Sequence, residues 1–135
     1  MELARIVRFV IQLCFVKRSG KMPLTLDEYQ KTCKDTRAYK DYGQGTIGPV
    51  SYCVLGLCGE AGEVANKIKK ILRGDYILDA LAIDQILDEL GDVLWYTAML
   101  ADELNADLSV VAMKNLNKLR LRKNMNTIKG TGDKR

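Results

Sequence analysis

Two long amphipathic segments constrain the fold of this sequence more than any other feature. Between Pro49 and Arg73, and again between Asp79 and Leu104, apolar residues recur about every 3.6 positions, the spacing of one helix face. Pro49 suits the first turn of a helix, and Gly74 after a basic last turn is typical of a helix C-terminus. No segment alternates apolar and polar residues as a half-buried strand does. The sequence therefore predicts an all-α helix bundle of about four to five helices.

A shorter helix is predicted before this pair. Thr25 and Glu28 have the spacing of a capping box, in which the two residues satisfy each other's free backbone amides. A helix is therefore expected from about Leu26 to Ala38. Residues 39–48 are glycine-rich and lack the G-x-x-x-x-G-K-[ST] pattern, which excludes a P-loop for binding nucleoside triphosphates.

A last helix, with Asp107 or Ser109 as its cap, is expected to reach about Lys123. The longest uncharged run near the N-terminus is eight residues, too short for the roughly 20 that span a membrane. We therefore expect no membrane contact. The expected organisation is an N-terminal amphipathic extension at 1–21, a helical domain at 22–123 and a basic flexible tail at 124–135.

The residue types that are missing restrict the chemistry. The sequence contains no histidine, which excludes Ser-His-Asp triads, Cys-His pairs and histidine-bearing metal sites within one chain. Its four cysteines include no C-x-x-C pair, so free thiols in a reducing cytoplasm are expected. Catalysis would depend on carboxylates, lysines, tyrosines, cysteines or a metal bound by oxygen atoms.

Each long helix carries two acidic residues three positions apart, Glu60 with Glu63 and Glu89 with Asp92. Residues at this spacing share a helix face. Four glycines lie inside the predicted helices, although each mid-helix glycine costs about 1 kcal/mol relative to alanine: Gly56, Gly59, Gly62 and Gly91. The economical interpretation is a close approach of the helices that brings four carboxylates together. Such oxygen ligands favour Mg²⁺ or Mn²⁺ over zinc. The alternative is two solvated helix faces.

The C-terminal part of the chain is basic, with a net charge of +7 over residues 114–135. Asn115, Lys118 and Arg122 share a helix face and could bind phosphate groups opposite the metal. Trp95 or Tyr96, three and four residues beyond Asp92, could stack on a base. The alternatives are a solvated basic face and a core aromatic residue.

These residues resemble the MazG-like, all-α nucleoside triphosphate pyrophosphohydrolases, whose signature is E-x-x-E, a spacer, and E-x-x-D. The motifs here are G-L-C-G-E-A-G-E-V at 56–64 and D-E-L-G-D-V-L-W-Y at 88–96, and 25 residues separate Glu63 from Glu89. The N-x-x-K-L-x-x-R of 115–122 is similar to the family's phosphate-binding helix. The resemblance covers about 23–123 and points to a short, phage-type member.

The resemblance implies Mg²⁺-dependent hydrolysis of a nucleoside triphosphate to the monophosphate and pyrophosphate, with Mn²⁺ as a possible substitute. It implies one or two ions per site, catalytic roles for Glu60 and Glu63, and a homodimer or homotetramer. Glu63 would accept the proton of the attacking water, and dGTP is the suggested substrate. The implied metal ligands are Glu60, Glu63, Glu89 and Asp92, and the implied substrate-binding residues are Asn115, Lys118, Arg122 and Trp95.

A second hypothesis comes from the basic C-terminal helix, which could make this chain a non-catalytic oligomer that binds nucleic acid or nucleotides. That protein would bind in a salt-sensitive way without the four acids, whereas the enzyme would depend strictly on metal. We favour the enzyme, with a small-molecule nucleotide rather than nucleic acid as its partner.

Overall fold

The computed structural model describes residues 23–128. These residues form four α-helices and one short 3₁₀ turn, and they contain no β-strand, which confirms the all-α prediction. The predicted extension at 1–21 and the end of the predicted tail lie outside the described residues. The elements are α1 (Leu26–Cys33), the 3₁₀ turn (Lys34–Thr36), α2 (Ile47–Arg73), α3 (Ala80–Glu103) and α4 (Leu108–Asn124).

Helices α2 and α3 run antiparallel and make the most extensive contact in the fold. Gly74 ends α2 in the left-handed conformation at φ 86°, as its position after the basic last turn predicts. Asp79 caps α3 by accepting a hydrogen bond from the amide of Ala82 at 2.9 Å. Local caps therefore set the bounds of the short connection, which makes the two helices neighbours.

The predicted extension of α1 to Ala38 is wrong, because the helix ends at Cys33 and continues only as the 3₁₀ turn. Long-range ion pairs account for the difference. Lys34 and Arg37 both pair with Asp102 of α3, and the Arg37 Nη1 to Asp102 Oδ2 distance is 2.9 Å. These contacts draw the chain against α3, and Arg37 itself is extended.

Helix α4 is capped by side chains of α1. The amide of Leu108 donates to Oε1 of Gln30 at 2.8 Å, and the amide of Ser109 donates to Oδ1 of Asp27 at 3.2 Å. Asp107 occupies the predicted cap position but makes no side-chain capping hydrogen bond. The buried Gln30 therefore supplies the cap that free helix amides require.

The buried core lies at one end of the fold, where α1 and the starts of α2 and α4 meet the C-terminal half of α3. Its centre is formed by Cys53 and Met99, both fully buried. The acidic pairs lie toward the other end of α2 and α3, outside this core. The buried core residues are Cys33, Tyr39, Cys53, Ala98, Met99, Ala101 and Leu108.

Candidate metal and substrate site

Three carboxylates from α2 and α3 form a compact acidic group. One oxygen each of Glu60, Glu89 and Asp92 can be chosen so that all three lie within 4.8 Å of one another. Glu89 and Asp92 are one helix turn apart, and Glu60 faces them from the antiparallel helix. Three oxygen donors and no nitrogen or sulfur suit a hard divalent cation such as Mg²⁺ or Mn²⁺.

The charges in this group act on one another. The pKa of Glu60 is raised above its ordinary value, first by partial desolvation and then by the negative charges of Asp92 and Glu89. The side chains of Glu60 and Glu89 are partly buried, whereas Asp92 is exposed. A cation among these oxygens would relieve the repulsion, so the electrostatics and the donor set agree.

Glu63 does not join this group. Its side chain lines a cavity of about 310 Å³ between the later turns of α2 and the first turns of α3. Lys67, Lys70 and Gln85 line the same cavity, and Nζ of Lys67 lies 3.2 Å from Oε1 of Glu89. The ion-pair partner of Lys67 therefore lies across the helix interface, and not four residues earlier on α2, where helical spacing would place Glu63.

Of the four mid-helix glycines that predicted a close approach of the helices beside the acids, one lies at such a contact. A Cβ placed on Gly59, Gly62 or Gly91 would meet nothing within 4 Å. Gly56, one turn before Glu60, is the position of close approach, where a Cβ would lie 2.1 Å from the ring of Tyr96. The carboxylates therefore meet because of how α2 and α3 pair, and not because of the glycine within each acidic motif.

Aromatic side chains lie on the other side of the acidic group from this cavity. Trp95 and Tyr96 are in contact with ring centroids 4.9 Å apart, and Tyr52 lies 6.1 Å from Tyr96 and stacks on Tyr39 at 4.7 Å. The Trp95 indole donates to Thr36 Oγ1 at 2.7 Å. A hydrogen bond with Tyr52, together with burial, raises the pKa of Tyr96 to about 12.

Sequence reasoning identified Trp95 and Tyr96 but missed Tyr52 as a neighbour of the acidic group. Helical spacing contained the signal for Tyr52, which precedes Glu60 by eight residues on the same helix. The contribution of Tyr39 was not readable in the same way, because it comes from the irregular segment before α2.

The basic row of α4 consists of Asn115, Lys118 and Arg122. Asn115 and Lys118 are exposed and, with Val111 and Lys114, line a surface pocket whose lining includes none of the carboxylates of the acidic group. Helix α4 packs against α1 and α3. Arg122 is partly buried on the same helix.

Comparison with known proteins decides the family. A profile of the MazG nucleotide pyrophosphohydrolase domain matches residues 50–126, a stretch that includes both acidic pairs and the basic row of α4. The chain belongs to the MazG nucleotide pyrophosphohydrolase family. MazG proteins typically depend on divalent metal, in agreement with the acidic group, and membership supports nucleotide pyrophosphohydrolase activity.

A phage protein is among the relatives of this MazG chain. The "Gene 37 protein" of Mycobacterium phage L5 is 47% identical over 112 residues, which cover 82% of this chain and 98% of the phage protein. The similarity is consistent with a phage-type member of the family. No solved structure matches the chain significantly.

Proposed function

We propose that this MazG protein hydrolyses a nucleoside triphosphate to the monophosphate and pyrophosphate in a reaction that requires Mg²⁺ or Mn²⁺. The observation that carries the proposal is the three-carboxylate group of Glu60, Glu89 and Asp92 within a MazG domain. The proposed substrate class is the deoxynucleoside triphosphates, with dGTP first, by analogy with phage-type family members.

The proposed metal ligands are the three grouped carboxylates, with Glu63 as a fourth from the adjoining cavity. A divalent ion bound there would supply a water of lowered pKa and offset phosphate charge. Glu63 and Glu60 are the proposed catalytic residues, and a carboxylate oxygen of Glu63 would accept the proton of the attacking water. Glu63 lies outside the group of three carboxylates, so one of its two oxygens would remain available to accept this proton.

Trp95 is the proposed contact for the base, supported by its place in the aromatic cluster one turn beyond Asp92. Asn115, Lys118 and Arg122 are proposed phosphate-binding residues. Because the pocket of Asn115 and Lys118 excludes the carboxylates of the same protomer, we propose that a neighbouring subunit supplies this row.

We propose a homodimer or homotetramer, because a neighbouring subunit would have to supply the basic row of α4. The exposed apolar surface supports this proposal. Large exposed apolar patches mark interaction sites in soluble proteins. Leu55 and Leu72 of α2 are 73% and 84% exposed, and Leu81 of α3 is 66% exposed. Helix α4 adds Met113, Leu116, Leu119 and Leu121, all exposed.

Within residues 23–128, no helix combines the length and apolar character that crossing a membrane requires.

The test is pyrophosphate release from the eight common ribo- and deoxynucleoside triphosphates with Mg²⁺, with Mn²⁺ and with EDTA. We expect metal-dependent release with the monophosphate as co-product. Asp92→Asn should abolish it with helicity retained, whereas Asp88→Asn, which removes an exposed acid outside the group, should not.

Three results would contradict the proposal. Orthophosphate as product would place the attack at another phosphorus atom. Absence of release from every nucleotide, with salt-sensitive nucleic-acid binding that survives Asp92→Asn, would support the binding protein instead. Normal turnover by Asp92→Asn would show that the metal site is elsewhere.

A further inference from the structure

The cavity beside the acidic group contains two lysines that the proposed function leaves without a role. Lys67 and Lys70 are one turn apart on α2 and both line the cavity, as do the side chains of Asn66 and Gln85. Tyr76 and Ile77, from the segment that connects α2 to α3, also line it. The ion pair of Lys67 with Glu89 joins the cavity directly to the carboxylate group.

The charges in the cavity leave capacity for an anion. An ammonium group has three donors, and Lys67, with its side chain 22% exposed, forms one ion pair, to Glu89. Across residues 23–128 no carboxylate lies within ion-pair distance of Lys70. The two acids in the lining are Asp79, whose carboxylate caps α3, and Glu63, whose carboxylate is assigned to the metal in the proposed function.

A hydrogen bond holds one wall of the cavity, and the volume of the cavity restricts what it can bind. The Tyr76 hydroxyl donates to the carbonyl oxygen of Lys67 at 3.1 Å and so fixes the connection against α2. The volume of about 310 Å³ is near the lower end of the range for ligand pockets, roughly 300–1,000 Å³. It suits a small, highly charged group rather than a whole nucleotide.

The order of groups along α2 and α3 is the decisive observation. Tyr52 and Tyr96 lie on one side of the carboxylates, and the lysine cavity lies on the other. A nucleoside triphosphate has the same order of base, α-phosphate and terminal diphosphate. A substrate with its α-phosphate at the carboxylates and its base toward the aromatic cluster would direct its last two phosphates toward Lys67 and Lys70.

We infer that this cavity is a subsite for the diphosphate part of the substrate, formed within one protomer by Lys67 and Lys70. The inference rests on the proposed function and adds a binding site to it. The water oxygen forms a bond to the α-phosphorus, the bond from that phosphorus to the bridging oxygen breaks, and the electron pair leaves with pyrophosphate. The two ammonium groups would hold that pyrophosphate until its release.

The experiment measures binding of pyrophosphate and of a nucleoside monophosphate to the whole protein by calorimetry in Mg²⁺, together with steady-state kinetics. For Lys70→Gln we expect the Kd for pyrophosphate and the KM for the nucleoside triphosphate each to rise by about tenfold, since one charge-assisted hydrogen bond is removed. Monophosphate binding should stay unchanged, and Lys70→Arg should restore most of the pyrophosphate affinity. Lys69→Gln, which removes an exposed lysine outside the cavity, is the matched control.

The outcomes separate the subsite from the reaction. Pyrophosphate binding that is absent in the wild type, unchanged in Lys70→Gln, or weakened together with monophosphate binding would overturn the subsite. Circular dichroism of the variants excludes unfolding as the cause of a loss. A wild type that binds pyrophosphate through Lys70 but hydrolyses no nucleotide would retain the subsite and refute the proposed function.

Discussion

The ring of Tyr96 lies so close to the backbone of Gly56 that a Cβ at this glycine would be 2.1 Å from a ring carbon. Gly56 is one turn before Glu60, and Tyr96 is one turn after Asp92. The contact therefore joins α2 and α3 immediately beside the acidic group. The absence of a side chain at position 56 sets the distance at which the two helices can pair there.

Gly56→Ala should therefore destabilise the protein and impair metal binding. An alanine would force the helices apart, and overpacking of this kind costs about 1–3 kcal/mol. Gly59→Ala is the control, because its Cβ would meet nothing within 4 Å and alanine is the better helix former by about 1 kcal/mol. Urea unfolding of both variants measures the difference. Equal effects would show that the close contact has no energetic consequence.

The buried carboxylate of Glu103 should be a strong determinant of stability. It accepts hydrogen bonds from the Tyr39 hydroxyl at 2.7 Å and from the amides of Gly43 at 2.7 Å and Gly45 at 3.1 Å. In Glu103→Gln, the NH₂ group of the new side chain would face at least one of these hydrogen-bond donors. We therefore expect the free energy of unfolding to fall by about 1–3 kcal/mol. Faster amide exchange at Gly43 and Gly45 would accompany it. Tyr39→Phe, which keeps both amide contacts, should cost less.

Acidification should reduce the contribution of Glu103 to the stability of the fold. Burial alone would raise the pKa of Glu103, but the hydrogen bonds from Gly43, Tyr39 and Gly45 and the charge of Arg37 bring it below its ordinary value. Such a group stabilises the fold above its unfolded pKa, and the contribution is lost as pH falls through the folded pKa. Stability that depends on pH equally in wild type and Glu103→Gln would contradict this assignment.

Glu60 should have the opposite effect in the metal-free protein. Its folded pKa is raised by desolvation and by Asp92 and Glu89, so the folded state binds the proton more tightly than the unfolded state. The ionised group therefore destabilises the fold above its folded pKa, and the penalty disappears below the unfolded pKa. Glu60→Gln should raise the Tm near pH 7 in EDTA and change it little near pH 4. A lower Tm at neutral pH would contradict the repulsion.

Bound metal should make the wild type more stable than Glu60→Gln, the reverse of their order in EDTA. Ligands that bind only the folded state stabilise it in proportion to the logarithm of their concentration over Kd. Added Mg²⁺ or Mn²⁺ should therefore raise the Tm of the wild type, and the rise should be largely lost in Glu60→Gln. Thermal scans across a metal titration measure this effect. An equal rise in both proteins would place the bound ion away from the carboxylate group.

The parts of the fold that sequence could predict are those set locally. The apolar period of α2 and α3, the capping box of Thr25 and Glu28, and the glycine end at Gly74 each act within a few residues, and the structure has all of them. The early end of α1 and the caps of α4 depend on partners across the fold, such as Asp102 for Arg37 and Gln30 for Leu108. Spacing along the sequence does not identify those partners.

In the candidate site, too, the local features could be predicted from the sequence, and the contacts between helices could not. Spacing along each helix predicted that Glu89 and Asp92 share a face, and the antiparallel pairing brings Glu60 to them. Whether Glu63 joins them depends on the rotation of α2 about its axis, which the apolar stripe defines only broadly. The partner of Lys67 depends on the same rotation, so the lysine cavity could not be read from the sequence.

Trp95 offers a direct test of the direction in which substrate lies. It is the single tryptophan of the chain, so tryptophan fluorescence, excited where tyrosine does not absorb, reports on this position alone. Its indole is held by Thr36 and packs against Tyr96, on the opposite side of the carboxylates from Lys67 and Lys70. We expect a nucleoside monophosphate to change the emission in a saturable way and pyrophosphate alone to leave it unchanged.

The matched variant for this measurement is Thr36→Val, which removes the hydrogen bond of the indole and leaves the cavity lysines in place. It should shift the emission of the free protein and weaken monophosphate binding more than pyrophosphate binding. If pyrophosphate alone changed the emission as strongly as the monophosphate, Trp95 would lie at the phosphate end of the substrate. The order of aromatic cluster, carboxylates and lysines would then not correspond to base, α-phosphate and diphosphate.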